Sequence, residues 1–186
     1  IVKGCILAYK ELGLSTYLVG DRKAIESILR KEGVKESEAL TIVHAEEKVE
    51  MHEPPSVVLK KRNSSLYVAG MLVKEGEADG LVSAGNTGAV LAVGKFVVGT
   101  EEEVERPSIG VPLPNPKGKT VLLDVGANVD CKPRHLLQFA IIGHTYAEEI
   151  LGIKNPRVGI LSIGEEEGKG NELVKETYPL LKRSKL

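Results

Sequence analysis

Short apolar segments with the pattern of β-strands alternate along this chain with segments that carry the period of an α-helix. The strand-like segments are continuously apolar, as in "TYLV", "LTIV" and "TVLL". Continuous apolar runs are typical of strands buried on both faces, and helices between such strands are the usual crossovers of a parallel sheet. We therefore predict an α/β fold with a mostly parallel sheet, covered on both faces and joined by right-handed crossovers.

Capping residues, glycines and prolines predict the boundaries of these elements. We predict strands over residues 16–19, 40–43, 80–83, 120–123 and 157–161, the fourth of them buried, and an extended edge strand over 108–113. We predict helices over residues 1–12, 24–31, 54–62, 87–98, 133–151 and 171–181, and one capped at 63–65 that ends near Gly76. Asp21 suits an N-cap, Pro133 the first helical position, and Gly13 a helix end.

The composition limits both the size of the fold and the class of partner. A chain of 186 residues, 42% of them hydrophobic, can bury one sizeable core, so we predict a single α/β domain over residues 1–186. With 25 basic and 26 acidic residues, the formal net charge of −1 gives no reason to expect nucleic-acid binding. Cys5 and Cys131 form no CxxC pair, so we expect two free thiols in a reducing cytosol.

Neither secretion nor insertion into a membrane is predicted by any segment. The apolar runs fall short of the ~20 residues that cross a bilayer, and no charged segment followed by an apolar one opens the sequence. The chain begins without Met, and Pro179 lies in or just after its last helix. We therefore expect a cytosolic globular chain that is a fragment of a longer protein.

Three predicted strands end in the same way, with a short polar residue, one spacer and a glycine. The endings are "SAG" at 83–85, "DVG" at 124–126 and "SIG" at 162–164. In an open α/β sheet, ligands bind outside the carboxyl ends of the strands. Glycine is common in short loops, so one such ending carries little weight, but three of them predict one floor of a binding site.

In the segment "SAGNTGA", six small residues follow Ser83 and separate a strand-like run from a helix-like run. Glycine lets the backbone approach a ligand closely, and a helix N-terminus offers unpaired N–H groups with a partial positive charge. This combination suits an anion such as phosphate. A tight turn in which Asn86 or Thr87 is an ordinary N-cap explains the same residues equally well, and the segment alone does not decide between the two.

Several familiar site classes are excluded by spacing. Gly85 and Gly88 stand in a GxxG spacing, which is not the GxGxxG fingerprint of dinucleotide-binding proteins. "GEEEGKG" has three residues between its first two glycines where a Walker A loop has four, and its Glu165, Glu166 and Glu167 would repel a nucleotide phosphate. Lys169, between two glycines and before a helix, is either a solvated charge or a group that reaches a bound anion.

The segment "DVGANVD" carries Asp124, Asn128 and Asp130 within seven residues. Carboxylate and amide oxygens suit Mg²⁺, but Asn and Asp also bond to the backbone of their own loop, and we favour that role for Asp130 and leave Asp124 open. His135 and His144 lie on one predicted helix about 13 Å apart along its axis, so they cannot share a zinc ion.

Taken together, the motifs resemble those of a known family. "LVGD", "SAGNTGA", "RPSIGVPLP", "LLDVGANVDCKPRHLLQFA" and "PRVGILSIGEEEGKGNELVKET" occur in the order found in the phosphate acyltransferases of bacterial phospholipid synthesis, the PlsX family. The resemblance covers nearly the whole chain. This sequence does not contain the family's N-terminal strand with its DxMGGD loop. It also does not contain the family's C-terminal part, which has a further glycine-rich loop and a basic amphipathic segment.

The resemblance implies an activity, a fold and partners. The expected reaction moves a fatty acyl group from acyl carrier protein to inorganic phosphate without a cofactor, giving an acyl phosphate that a glycerol-3-phosphate acyltransferase uses next. The implied fold is a three-layer α/β/α sandwich similar to isocitrate and isopropylmalate dehydrogenases. The family is typically a cytoplasmic homodimer with peripheral membrane contact.

Under this hypothesis the residues fall into three groups, which bind phosphate, carry catalysis and form the substrate loops. The phosphate-binding residues are Ser83, Gly85, Asn86, Thr87 and Gly88. The catalytic residues are Lys169, which offsets charge on phosphate or on the developing oxyanion, and Asn171, which donates a hydrogen bond or merely caps the last helix. The substrate loops contain Asp124, Gly126, Asn128 and Gly164. No metal site is expected.

Carrier protein is acidic, so exposed basic clusters are candidate docking sites, although each is more simply a solvated face. The clusters are Lys60, Lys61 and Arg62; Lys132 and Arg134; and Lys182, Arg183 and Lys185. Two other functions remain open. One is a phosphate acetyltransferase-like enzyme that uses acyl coenzyme A, and the other is a non-catalytic module that binds phosphate or a carrier protein.

Overall fold

The computed structural model describes residues 1–166 and 168–184 and divides the chain into two compact units. The first unit is Ile1–Glu101 and the second is Glu102–Leu186. Within the described residues, each unit combines helices with one pair of strands. The α/β class predicted from the sequence is therefore confirmed.

The first unit alternates helices and strands as expected. Its elements are α1 (Val2–Leu12), β1 (Thr16–Gly20), α2 (Arg22–Lys31), β2 (Leu40–His44), a 3₁₀ helix (Pro55–Leu59), α3 (Ser65–Lys74), α4 (Thr87–Val93) and a π-helical turn (Gly94–Val98). The predicted helix caps on the two sides of β1 are confirmed. Gly13 ends α1 in the left-handed conformation at φ 68°, and the Asp21 carboxylate accepts from the Ala24 N–H at 2.7 Å.

Strands β1 and β2 form the parallel pair that the sequence predicts. Their register places Thr16 opposite Leu40 and Gly20 opposite His44. Apolar side chains from the strands, α1 and α2 meet in one core. Its buried members are Ile6, Leu18, Ile25, Leu29, Leu40 and Ile42.

A second apolar cluster in this unit holds the 3₁₀ helix, α3 and α4 together. Its buried members are Val58, Leu66, Ala89, Val93 and Val97. The backbones of α3 and α4 approach so closely that a Cβ on Gly70 would lie 2.3 Å from a methyl group of Val93. Only glycine at this position allows the two helices to pack at this distance.

Two predictions in the first unit need correction. The helix predicted over 54–62 is a short 3₁₀ helix, which begins at Pro55 as the prolines allow but ends at Leu59. The segment 80–83 is not a strand. A strand exists only through ladder bonds to a neighbour, and the ladder of β1 and β2 contains no third member among the described residues.

The second unit is a hairpin followed by two long helices. Strands β3 (Gly110–Asn115) and β4 (Gly118–Leu123) pair antiparallel, and α5 (Pro133–Thr145) continues into a π-helical turn (Tyr146–Ile150). Helix α6 (Glu172–Arg183) follows and packs on α5. The predicted start of α5 at Pro133 and of α6 after Asn171 are confirmed.

The structure also corrects two strand predictions in this unit. The segment 157–161 has no ladder partner among the described residues and is not a strand. Strand β4 exists, but it is not buried on both faces. Leu123 packs against α5, where a Cβ on Gly143 would lie 2.3 Å from its methyl group, while the neighbouring Leu122 points to the opposite face and is 37% exposed.

Candidate functional site

The segment "SAGNTGA" forms the approach to α4 in the first unit. The Ser83 hydroxyl accepts a hydrogen bond from the Gly85 N–H at 3.2 Å, which closes a small turn before the helix. Ser83, Gly85 and Thr87 are exposed. A Cβ on Gly85 would meet only the Ser83 hydroxyl, at 3.4 Å, so this glycine leaves open space on its surface.

Asn86 is the N-cap of α4 and also fastens a distant loop. Its Oδ1 accepts from the Ala89 N–H at 3.0 Å. Its Nδ2 donates to the main-chain carbonyl of Glu53 at 2.9 Å and makes longer bonds to the carbonyls of Glu50 and Met51. Asn86 is 8% exposed, and both the oxygen and the nitrogen of its amide are hydrogen-bonded within the protein.

Gly88 is needed for packing inside the unit. A Cβ at this position would lie 2.5 Å from Cγ of Pro55 at the start of the 3₁₀ helix. The first turn of α4 therefore rests directly on Pro55. Of the two glycines in the segment, Gly88 serves the fold and Gly85 borders solvent.

The loop that Asn86 fastens is further held by an ion pair. Lys61 Nζ lies 2.7 and 2.8 Å from the two carboxylate oxygens of Glu53 and also donates to the Lys48 carbonyl at 3.1 Å. The Lys61 ammonium, together with the Glu50 N–H, lowers the pKa of the Glu53 carboxyl below its ordinary value. Lys61 therefore serves the fold of this loop, whereas its predicted companions in a docking cluster, Lys60 and Arg62, are exposed.

In the second unit, Asp124 and Asn128 organise the loop that follows β4. Asp124 adopts the left-handed conformation at φ 58°, and Gly126 does so at φ 87°. The Asp124 carboxylate accepts from Asn128 through its main-chain N–H at 3.1 Å and its Nδ2 at 2.9 Å. Asn128 Nδ2 also donates to the Pro107 carbonyl at 3.1 Å. Asp124 and Asn128 thus make hydrogen bonds within their own loop, which is the alternative to Mg²⁺ binding that the sequence allows for such residues.

Cys131 closes the same loop. Its Sγ lies 3.8 Å from Oδ2 of Asp124. Burial raises the pKa of the Cys131 thiol, and the nearby Asp124 carboxylate raises it further. The Cys131 thiol is therefore less nucleophilic than an unperturbed thiol at neutral pH, since the thiolate is the reactive form.

His135 is a buried polar residue whose role was not predicted from the sequence. Its Nδ1 accepts from the Lys132 N–H at 3.1 Å, and its Nε2 lies 3.0 Å from the Glu105 carboxylate, which also binds Arg134 at 3.0 Å. Both ring nitrogens therefore have protein partners, and Arg134 of the second docking cluster is paired. The sequence does carry a signal for this contact, because His135 lies three residues after Lys132 at the start of a predicted helix, where a side chain can accept from the preceding main-chain N–H.

The loop over residues 164–171 precedes α6 and contains the predicted catalytic residues, Lys169 and Asn171. Lys169 packs its aliphatic stem over Gly164, and its Nζ lies 3.9 Å from the Glu166 carboxylate. With 52% of its side chain exposed, Lys169 is weakly paired and accessible to a ligand. Glu167 lies outside the described residues.

Two further residues shape the end of this loop. Gly170 adopts φ 101°, and a Cβ there would lie 2.9 Å from the Ser162 hydroxyl. Asn171 caps α6, since its Oδ1 accepts from the Val174 N–H at 3.0 Å. The capping role that the sequence offers for Asn171 is therefore confirmed, and its exposed side chain keeps the amide NH₂ at the surface.

The third docking cluster is only partly described. The Lys182 ammonium lies 5.8 Å from the centre of the Tyr178 ring, and Arg183 Nε donates to the Pro179 carbonyl at 3.2 Å. Lys185 lies outside the described residues. None of the helices in the described part of the chain is long and apolar enough to cross a bilayer.

Comparison with known proteins identifies the family of the chain that carries these loops. A model of the family described as fatty acid synthesis protein matches residues 1–185. The chain belongs to this family. Its members include a phosphate acyltransferase from Aquifex aeolicus that is 81% identical over 186 residues, which cover 100% of the chain and 55% of that protein.

More distant members of the family match over the same region. A phosphate acyltransferase from Lawsonia intracellularis is 51% identical over 186 residues, and one from Elusimicrobium minutum is 48% identical over 181 residues. The matches cover 100% and 97% of the chain, and 53% of each relative. The chain thus spans about half the length of these relatives, and the family resemblance drawn from its motifs is confirmed.

Proposed function

We propose that the complete protein containing this chain is an acyltransferase that moves an acyl group to inorganic phosphate, for use in phospholipid synthesis. The observation that carries this proposal is the 81% identity, along the whole chain, to a phosphate acyltransferase. The exposed turn at Ser83–Gly85 and the accessible Lys169 support it from the residues themselves.

The proposed donor is the thioester of acyl carrier protein. A phosphate oxygen attacks the thioester carbonyl, the C–S bond breaks, and the thiol leaves as a thiolate while the acyl phosphate forms. Because a thiol has a pKa near 8.5, its thiolate leaves with little acid assistance. The enzyme therefore has to hold the two reactants together and stabilise the oxyanion, which requires N–H donors and a cation.

In the first unit we propose that the segment "SAGNTGA" binds phosphate. Ser83 and Thr87 offer exposed hydroxyls, and Gly85 leaves room for the anion beside them. Asn86 and Gly88 act indirectly, since Asn86 fixes the helix start and Gly88 lets α4 rest on Pro55. Their contribution to phosphate binding is the placement of main-chain N–H groups.

In the second unit we propose that Lys169 offsets negative charge on phosphate or on the developing oxyanion. Its weak pairing to Glu166 leaves the ammonium free to turn toward an anion. Asn171 keeps its amide NH₂ for the same substrate while its Oδ1 caps α6. Gly164 gives the lysine stem its path across the loop.

The loop after β4 is proposed to border the substrates. Asp124 and Asn128 hold its shape through their mutual hydrogen bonds, and Gly126 permits the left-handed turn between them. Oδ1 of Asp124 already accepts two hydrogen bonds from Asn128, and Oδ2 lies 3.8 Å from Sγ of Cys131, so the carboxylate is engaged in holding the shape of the loop.

Other properties of the complete protein rest on the family resemblance. We propose a single three-layer α/β/α domain similar to isocitrate and isopropylmalate dehydrogenases. We further propose a homodimer with peripheral membrane contact in the cytoplasm. Its acyl phosphate would pass to a glycerol-3-phosphate acyltransferase.

The test follows the donor with and without phosphate, using the complete protein. Long-chain acyl–acyl carrier protein is incubated with the enzyme, and hydroxylamine traps any acyl phosphate. Phosphate-dependent loss of the donor with a trapped product supports the proposal. Loss without phosphate indicates a thioesterase, activity with acyl coenzyme A alone indicates a phosphate acetyltransferase-like enzyme, and no loss with either donor indicates a binding module.

A further inference from the structure

The hydrogen bonds between β1 and β2 show which residues of β2 direct their main-chain groups away from β1. The Ala45 N–H donates to the Gly20 carbonyl at 2.9 Å, and the Thr16 N–H donates to the Ala39 carbonyl at 2.8 Å. The N–H and C=O of one strand residue point to the same side, and those of the next residue point to the other. Odd-numbered residues of β2 therefore face β1, whereas Leu40, Ile42 and His44 direct their main-chain groups outward.

The outward groups at Leu40 and Ile42 already have partners. Leu40 exchanges two main-chain bonds with Ser37, at 3.0 and 3.2 Å. The Ile42 N–H donates to Oε1 of Glu36 at 2.8 Å, and the Ile42 carbonyl accepts from Nη2 of Arg22 at 2.8 Å. Both main-chain groups of Ile42 are therefore satisfied by charged side chains.

Arg22 and Glu36 also bind each other. Nη1 of Arg22 lies 2.8 Å from Oε2 of Glu36. The guanidinium thus presents a donor, and the carboxylate an acceptor, where a neighbouring strand would present an N–H and a C=O. Hydrogen bonds with a charged partner are the stronger kind, so this arrangement competes well with an incoming strand.

Strand β2, whose outer edge the Arg22–Glu36 ion pair covers, has the composition of a segment that readily pairs with other strands. Its residues 40–43, "LTIV", are uncharged, and three of the four are β-branched. An edge strand with free N–H and C=O groups is a template for another strand. Two copies of β2 running antiparallel about Ile42 would exchange both of its main-chain bonds across a two-fold axis.

We propose that Arg22 and Glu36 close the outer edge of β2 against pairing with a second copy of the same strand. The ion pair occupies the donor and acceptor of Ile42, at the centre of the edge, and it must be displaced before two strands can meet. The surface that it covers is complementary to itself, so its opening leads to self-association rather than to capture of an unrelated ligand.

The experiment compares variants of the complete protein by light scattering after size-exclusion chromatography. Glu36→Ala removes the acceptor of the Ile42 N–H and should raise the mass to at least twice that of the wild type as the concentration increases, because a homodimer carries two such edges. Glu32→Ala is the matched control, since it removes an ion pair of 2.7 Å with Lys3 in the same unit but leaves β2 untouched.

Two further measurements identify the edge. The Ile42 amide should exchange faster in dilute Glu36→Ala than in the wild type, and it should regain protection when the variant associates. Adding His44→Pro to Glu36→Ala should restore the wild-type mass, because proline removes an outward N–H and blocks strand pairing. Should Glu36→Ala fail to fold, Arg22→Lys keeps the charge but loses the bond to the Ile42 carbonyl and is measured in the same way.

Two outcomes would overturn the proposal. A folded Glu36→Ala or Arg22→Lys variant that keeps the wild-type mass at every concentration would reduce the pair to a stabiliser of the turn between α2 and β2. Association that His44→Pro does not reverse would assign the new contact to another surface.

Discussion

Asn86 at the start of α4 donates its side-chain amide to the main-chain carbonyl of Glu53, 33 residues earlier in the chain, at 2.9 Å. The same side chain caps the helix through its oxygen. The proposed phosphate segment and the loop 50–53 are therefore fixed to each other by one residue. A substitution at Asn86 that keeps the capping oxygen but replaces the NH₂ donor with an acceptor separates helix capping from attachment of the loop.

Asn86→Asp should destabilise the protein more than Asn86→Ser. Both keep an oxygen to cap α4, a bond whose loss costs about 1 kcal/mol. Aspartate, however, turns an oxygen toward the carbonyls that Asn86 Nδ2 now binds, and buried acceptors facing one another are unfavourable. Urea denaturation of the two variants measures the difference. An Asn86→Asp variant as stable as the wild type would contradict this account of the amide.

Gly88→Ala should lower the free energy of unfolding by about 1–3 kcal/mol, because the new methyl group overlaps Pro55. Gly85→Ala is the matched control, since its Cβ would meet only the Ser83 hydroxyl at 3.4 Å. Thermal unfolding of both variants checks the prediction. Equal melting temperatures would show that α4 can withdraw from the 3₁₀ helix at little cost.

Gly85→Ala should raise the KM for phosphate while leaving the melting temperature unchanged, since the added methyl group projects into the space proposed for the anion. Gly80→Ala is the control just before this segment, since a Cβ at Gly80 would have no heavy atom within 4 Å. Steady-state kinetics of the complete enzyme distinguishes the two. A normal KM in Gly85→Ala would place the anion elsewhere.

Lys169→Ala should lower kcat at least about 100-fold with little change in melting, as expected for loss of a cation at the developing charge. Lys175→Ala is the control, because this lysine is similarly exposed and also pairs with a glutamate three residues away, at 3.2 Å. Turnover of both variants with phosphate in excess is the measurement. Near-normal turnover of Lys169→Ala would remove this residue from the catalytic set.

The Glu53–Lys61 pair predicts a pH dependence of stability. Lys61 and the Glu50 N–H lower the pKa of Glu53 below 4.5, so the ionised carboxyl stabilises the folded state at neutral pH. This contribution is lost as the pH falls through the lowered pKa. Glu53→Gln should therefore be less stable than the wild type at pH 7, and the two should converge in acid. Parallel stability curves from pH 7 to pH 2 would argue against the pair.

Cys131 should react slowly with iodoacetamide at pH 8, because burial and the Asp124 carboxylate raise the pKa of its thiol. Asp124→Asn removes the negative charge and should speed alkylation, which peptide mass mapping follows residue by residue. Cys5 provides an internal reference for reagent activity. Faster reaction of Cys131 in the wild type than in Asp124→Asn would reverse the sign of this electrostatic effect.

Short-range chemistry made much of this structure predictable from the sequence. Asp21 and Asn171 cap helices as expected because an N-cap bonds to an N–H only three residues away. The glycine at position 13 ends a helix for a similar local reason, its tolerance of positive φ. The family motifs belong to the same class of information, since they are contiguous residues.

Contacts between distant residues were decided only by the tertiary structure. The sequence does not reveal that Asn86 binds carbonyls of the loop 50–53, or that Glu105 meets His135. It predicts strands over 80–83 and 157–161 from apolar content, yet a strand forms only where a neighbour supplies its ladder bonds. Apolar content and caps are properties of the local chain, whereas pairing, burial and ion pairs depend on which groups the fold brings within about 3 Å.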